Sequence, residues 1–373
     1  MAGLPARVKI FIVVTAASVG LAVGYTLWAA RASKPAPAAS STTRSLPPPP
    51  AATAAPAAAA TDQSVEEQPA AAPPSGPPAS ATAHASATPA YLIALNMRDS
   101  PELGQVEFAR LDTVEARTAT GLRCERIYFA AGKGVCLRRE IKFYAAETVA
   151  TFTDDHFRPL FDVRTPGTPT RARISRDGRV AAFTAFVTGH SYADTDLSTT
   201  TVLVNLRTRE TIANLEEFEV SKDGQRLQAL DVNYWGVTFG ADSNFFYATL
   251  RTGGVNYLVH GDIGRRSVTV MYAGVECPSL SPDETRIAFK KAIGRGDWRL
   301  AILDLATYNV VALRETRSVD DQAEWLDNAH VLYAVPDPAP WMTIMVASAN
   351  GSGEPAVFVK GSASPAVAPH FHP

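Results

Sequence analysis

The chain has 373 residues, a formal net charge of −2 at pH 7, 46% hydrophobic residues and three cysteines. So balanced a charge gives no bulk attraction for a phosphate backbone, and no nucleic-acid partner is expected. Composition divides the length unevenly: Ala and Pro dominate residues 31–90, whereas nearly all the aromatic, Val and Ile residues that can build a core lie in 91–373.

Residues 1–9 carry Arg7 and Lys9, residues 10–30 run without a charge, and Arg31 and Lys34 follow. A spanning helix needs roughly 20 apolar residues, whereas a signal-peptide core has only about 7–15. Residues 10–30 are therefore expected to form a transmembrane signal anchor, with residues 1–9 cytoplasmic. Ala30-Arg31-Ala32 keeps a cleaved signal as the alternative. Residues 31–90, with four consecutive prolines at 47–50 and repeated Ala-Ala-Pro units, lack the apolar side chains to bury surface. They are expected to be a disordered linker that supplies reach. The expected protein is single-pass, with domain 91–373 outside the cytoplasm, periplasmic or at the cell surface.

Within 91–373 one pattern recurs: apolar strand, polar turn, apolar strand. It reads IYFAAGKGVCL (127–137), RISRDGRVAAF (173–183), TFGADSNFFYATL (238–250), SLSPDETRIAF (279–289) and EWLDNAHVLYAV (324–335). Pro at the second turn position fixes φ, and Asp hydrogen-bonds the neighbouring backbone, so Ser281-Pro282-Asp283 is a turn with a mechanism. The turn aspartates Asp177, Asp242, Asp283 and Asp327 are separated by 65, 41 and 44 residues, and the long gap holds an extra hairpin, FEVSKDGQRLQAL (218–230). The spacing matches the roughly 40–45 residues of a four-stranded propeller blade. Segments such as 201–206 and 255–259 supply third strands, and no sustained 3.6-residue apolar stripe predicts a long helix.

Repeats begin near residues 124, 172, 237, 277 and 322, and a sixth is due near 371, where the chain ends. Segments 91–96, 106–114 and 115–120 read as strands with no inner strand before them. Joining the two chain ends into one blade completes them and removes the exposed sheet edges. The expected fold is all-β: a six-bladed β-propeller over 91–373, closed by its N- and C-terminal strands and expected to be monomeric.

Ser281-Pro282-Asp283 followed by Ile287-Ala288-Phe289 resembles the WD40-like (PD40) repeat of the TolB-like β-propeller family, with Glu284 where the family has Gly. Ser175-Arg176-Asp177-Gly178 is similar, with Arg in place of Pro. The resemblance implies this propeller over residues 91–373 and no particular activity, since the fold carries unrelated functions. The expected membrane anchor departs from the soluble periplasmic pattern of the family.

Cys124 and Cys136 are close enough in sequence for a disulfide outside the cytosol. Against that, a turn at 131–134 places Phe129 rather than Cys124 opposite Cys136, and three small buried thiols are the other reading. The sequence has no Gly-x-Ser-x-Gly elbow, His-Glu-x-x-His, Cys-x-x-Cys, phosphate loop or dinucleotide fingerprint. Arg295-Gly296-Asp297 spells an adhesion tripeptide in a Gly-rich loop, where chance accounts for it. Asp194 and Asp196 near Ser198 alternate like calcium ligands but lack the Gly and terminal Glu of a hand-type loop. No cofactor or metal is expected.

Loops entering the inner strands share one end of a propeller with loops joining second and third strands. That end is expected to gather His190, Ser191, Tyr192, Asn233, Tyr234, Trp235, Asp320, Asp321, Gln322 and Trp341 as a partner-binding face, with Glu276, Trp298, His370 and His372 nearby. The function expected is a non-enzymatic, membrane-tethered binding or scaffolding module of the cell envelope, its partner an envelope protein or glycan. The alternative is a surface hydrolase or lyase with a metal held by Asp320, Asp321, Glu276 and a histidine at the channel mouth.

Overall fold

The computed structural model describes residues 90–189, 192, 194, 197–337, 341–369 and 371. The expected anchor and linker, and His190, Ser191, Asp196, His370 and His372, lie outside these residues. Among the described residues no helix is long and apolar enough to cross a membrane. Helix is confined there to one short 3-10 turn, Leu215–Glu217.

The Ser-x-Asp turns work as small hydrogen-bonded boxes. Ser281 Oγ donates to Asp283 Oδ1 (2.6 Å) and accepts from the Arg286 amide (3.0 Å), while Thr285 Oγ1 donates to Asp283 Oδ1 (2.8 Å). Ser175 repeats this with Asp177 (2.6 Å) and the Val180 amide (3.0 Å). The hydroxyl bond from Ser281 holds the Asp283 carboxyl down at about 2, so the turn keeps its charge in ordinary conditions. Glu284, where the family carries Gly, sits at φ +61°, the left-handed conformation that Gly adopts without strain.

Strands flanking these turns assemble into six sheets. The first blade joins the chain ends: Ser362–Ala368 is innermost, followed outward by Tyr91–Asn96, Gln105–Arg110 and Thr118–Arg123. The inner strands of the second to sixth blades are Arg126–Ala130, Thr168–Ile174, Asn233–Phe239, Glu276–Leu280 and Glu324–Trp325. In the fourth blade the extra hairpin adds Glu219–Lys222 and Gln225–Arg226 to the outside, the former running parallel to Ser267–Ala273. Antiparallel order puts every entry into an inner strand, and every second-to-third hairpin, at one end of the ring, called here the entry end. The first-to-second turns occupy the opposite, turn end.

Two expectations of register change. The closing inner strand begins at Ser362, not near residue 371. Its exit segment therefore lies at the turn end, where Phe371 packs 5.1–5.4 Å from Tyr91, Phe108 and Phe129 and welds the first blade to the second. In the second blade Ala130 pairs with Lys133, so the turn is Ala131-Gly132 and Ile127, not Phe129, faces Cys136. Cys124, just ahead of the inner strand, then reaches Cys136: the two form a disulfide with Cα atoms 5.4 Å apart. Cys277 is a buried free thiol.

Candidate functional site: an axial bowl above a plugged channel

Inner strands aim alternate side chains at the ring axis, and in the third blade two of these are Arg171 and Arg173. Both cross to the opposite side. Arg171 Nη2 lies 3.0 Å from Asp320 Oδ1, and Lys290 Nζ lies 2.6 Å from the same oxygen. Arg173 donates to the Ala323 carbonyl (2.7 Å) and pairs with Glu324 (3.2 Å). Gln322 ties the fourth and fifth blades to the sixth through the carbonyls of Val237 (3.2 Å) and Pro278 (2.8 Å). Between these layers remains a void of about 20 Å³ lined by Arg126, Arg171, Asp321 and Gln322, room for about one water. The channel is plugged.

The residues expected as a recognition face make up much of this plug. Tyr192 folds inward from its loop, stacks on Trp235 (4.7 Å) and shares a hydrogen bond with Thr170 Oγ1 (2.9 Å). Tyr192, Tyr234, Trp235, Asp321 and Gln322 are buried, so they offer a partner little surface. Trp298 joins this aromatic cluster and donates Nε1–H to Glu276 Oε1 (3.1 Å). Asn233 Oδ1 accepts the Thr199 amide (2.8 Å). Asp320 remains partly open, and Trp341 is half-buried at the sixth-blade hairpin. Burial works against ionisation of Asp320, but Lys290 and Arg171 outweigh it and hold the carboxyl down at about 2.

The metal alternative needed Asp320, Asp321 and Glu276 to converge. Instead Asp320 neutralises Lys290 and Arg171, Glu276 accepts from an indole, and Asp321 accepts the amides of Gln322 (3.0 Å) and Ala334 (3.0 Å). Among the described residues no three His, Cys, Asp or Glu side chains form a metal-binding group.

At the turn end the axis opens into a bowl of about 690 Å³. Its floor is Arg173, Glu324 and Tyr128; its wall includes Trp325, Arg176 and Phe371. The Arg173 guanidinium lies 4.3 Å from the centre of the Tyr128 ring, whose hydroxyl donates to Glu324 Oε1 (3.4 Å). Burial pushes the Glu324 carboxyl up, with Arg173 opposing, and pushes the Tyr128 phenol up as well. Arg176 spans from the third blade to the fifth, donating to the carbonyls of Ser281 (2.7 Å) and Pro282 (2.8 Å). Trp325 is fixed by its indole N–H on the Ser279 carbonyl (2.9 Å). The bowl thus offers aromatic surface, fixed guanidinium groups and turn backbone, and it is large enough for several side chains of a ligand.

Sequence reasoning missed Tyr128, Arg173, Arg176, Glu324 and Trp325. A signal was present: Arg171 and Arg173 alternate in a strand that must face the axis, where apolar residues would otherwise be expected.

TolB from Acinetobacter baumannii superposes with a TM-score of 0.50 at 17% identity, over 75% of this chain and 67% of that one. The fold is that of a TolB-like β-propeller. A putative TolB from Agrobacterium tumefaciens is similar at 11% identity, TM-score 0.43, over 73% of this chain and 89% of that one. A puromycin-hydrolyzing peptidase from Mycobacterium tuberculosis gives 13% identity and TM-score 0.43, over 73% of this chain and 45% of its own length. No protein-family model and no curated protein matches the chain. At 17% identity the likeness to the Acinetobacter baumannii protein speaks for the fold and is silent on chemistry.

Proposed function

We propose that this chain is a non-enzymatic, membrane-tethered binding module that receives a segment of an envelope protein in its turn-end bowl. The observation that carries this reading is the contrast between the two ends of the axis: a closed, charge-paired plug at one and a cavity of about 690 Å³ at the other. A loop or chain terminus suits the bowl, because Arg176 and the inner turns present fixed donors and acceptors around aromatic walls. A TolB-like propeller fits a binding or scaffolding role. Residues 10–30 are proposed as the span and 31–90 as the tether. The Cys124–Cys136 disulfide supports an extracytoplasmic location, since such bonds persist in oxidising compartments.

The test is affinity capture from envelope extracts with the full chain. Asn328 and Pro369 stand at the bowl's lip. Asn328→Trp and Pro369→Arg should abolish recovery of the protein retained by the native chain, whereas Val357→Arg on an outer strand should not. Equal recovery with all three variants overturns the bowl as the site, and retention of glycan alone overturns the proposed partner class.

A further inference from the structure

The hairpin joining the second and third strands of the second blade ends in Phe143-Tyr144. Both residues have positive φ, +48° and +69°, as in a two-residue type I′ turn. Such turns favour Asn-Gly because left-handed backbone opposes large side chains, and two adjacent aromatic residues are the reverse of that preference. The two residues are 98% and 104% exposed, so no packing among the described residues repays the strain. Ile141, one position before Lys142, is also exposed.

This tip has company. Antiparallel order places it at the entry end, and other blades put exposed apolar side chains at the same end: Leu103 from the first, Val187 from the third, Leu230 from the fourth and Ile293 from the fifth. Leu230 is held there by its neighbour Asp231, which accepts from Thr252 and Gly253 at the fourth-blade hairpin (2.6 and 2.7 Å). Of the thirteen large hydrophobic residues most exposed among those described, eight belong to entry-end loops or strand ends. They are convex tips rising separately around a rim, over an end whose axis is plugged.

We infer that the entry end is a lipid-facing surface, with the Phe143-Tyr144 hairpin as its leading anchor. A folded protein occupant would need a matched hollow for each separate tip, whereas a bilayer interface accepts convex apolar points wherever they fall. Phe and Tyr suit the headgroup level, where aromatic rings bury while the adjoining Lys142, paired with Glu147 (2.8 Å), keeps its charged head in water. The charge-free residues 10–30 give the chain its own route to such a surface. The inference rests on the proposed tether for proximity. Ala90 lies next to the turn-end strand terminus at Tyr91, and the tether proposed over 31–90, taken as a coil, spans roughly 40 Å, enough for the far end of the ring to meet the bilayer. This orientation leaves the bowl directed away from the membrane and open to a partner.

The test uses the full chain reconstituted into phosphatidylcholine and phosphatidylglycerol vesicles with brominated acyl chains. An environment-sensitive dye is attached at Arg295→Cys, beside the fifth-blade tip, or at Asn328→Cys, at the turn end. Bromine should quench the dye at 295 and not at 328. Phe143→Asn combined with Tyr144→Gly installs the favoured turn pair, so it should fold at least as well as the native chain while quenching at 295 falls to the level at 328. Equal quenching at 295 and 328 in vesicle-bound chain overturns the lipid-facing surface and leaves the tether standing. Undiminished quenching in the Asn-Gly variant overturns the hairpin as anchor. A chain that fails to float with vesicles overturns both tether and surface.

Discussion

Lys290 Nζ lies 2.6 Å from Asp320 Oδ1, and the two partners have unequal access to water: the lysine side chain is 0% exposed and the aspartate 49%. The lysine is committed, wedged 4.1 Å from the Trp298 ring centre and 4.9 Å from that of Tyr192. Removing either partner therefore has different consequences. Asp320→Ala leaves a buried ammonium without a counter-charge and should cost about 3–5 kcal/mol. Lys290→Met keeps the packing, and Asp320 retains Arg171 and solvent, so the change should stay within about 1 kcal/mol. Urea denaturation of both variants checks the asymmetry; equal losses would show that the plug is not organised around the lysine.

Glu216 accepts the Thr201 amide (2.9 Å) at the edge of the third blade, and burial pushes its carboxyl up to about 7. A carboxyl that binds its proton more tightly in the folded chain favours folding at low pH. That contribution is full below the unfolded value of about 4.5 and lost as pH rises through about 7, a change of no more than about 3 kcal/mol. Asp320 runs the other way, its contribution disappearing as pH falls through the unfolded value near 3.8 toward about 2. Glu216→Gln should raise the melting temperature at pH 8 and leave it nearly unchanged at pH 4.5. An unaltered difference between those pH values would place the titration elsewhere.

Closure of the ring depends on the C-terminal strand. Ser362–Ala368 is the inner strand of the first blade, and Phe371 packs against Phe129 of the second. Ending the chain at Gly361 strips the inner edge from Tyr91–Asn96 and uncovers that cluster. The truncated chain should aggregate or lose its cooperative thermal transition, read by circular dichroism and light scattering. A soluble chain with an unchanged melting temperature would refute closure.

The disulfide spans a sequence separation of 12. Constraint of so short a loop in the unfolded chain is worth about 3 kcal/mol in the chain-entropy description. Cys124→Ser with Cys136→Ser should lower stability by roughly that amount, and adding reductant to the native chain should lower it to a similar level, measured by chemical denaturation. No response to reductant would argue against the bridge.

Much of the fold was legible because its signals are local. Ser281, Pro282 and Asp283 announce a turn, Ile287–Phe289 announce the next strand, and the spacing of such units announces blades. The closing strand was harder to phase, since Ser362–Ala368 is followed by Pro-His-Phe rather than by a Ser-x-Asp turn. The burial of Tyr192, Trp235, Asp321 and Gln322 was not legible for a different reason. What shuts the entry end is pairing between residues far apart in the chain, Arg171 with Asp320 and Lys290 with Asp320, and no local pattern records it. Tyr192 and Trp235 look alike as loop aromatics whether they face water or each other; only their stacking decides. Phe143-Tyr144 was the opposite case. Its neighbours show nothing unusual until the positive φ angles reveal that the turn carries the wrong residues for its shape.

Photo-crosslinking in intact envelopes tests the bowl most directly. A photoreactive side chain at Asn328 stands in the bowl, one at Arg295 at the entry end and one at Val357 on an outer strand. The binding account predicts a discrete protein adduct from 328 and none from 357, with any adduct from 295 confined to lipid. A silent bowl, together with a discrete protein adduct from 295, would contradict it.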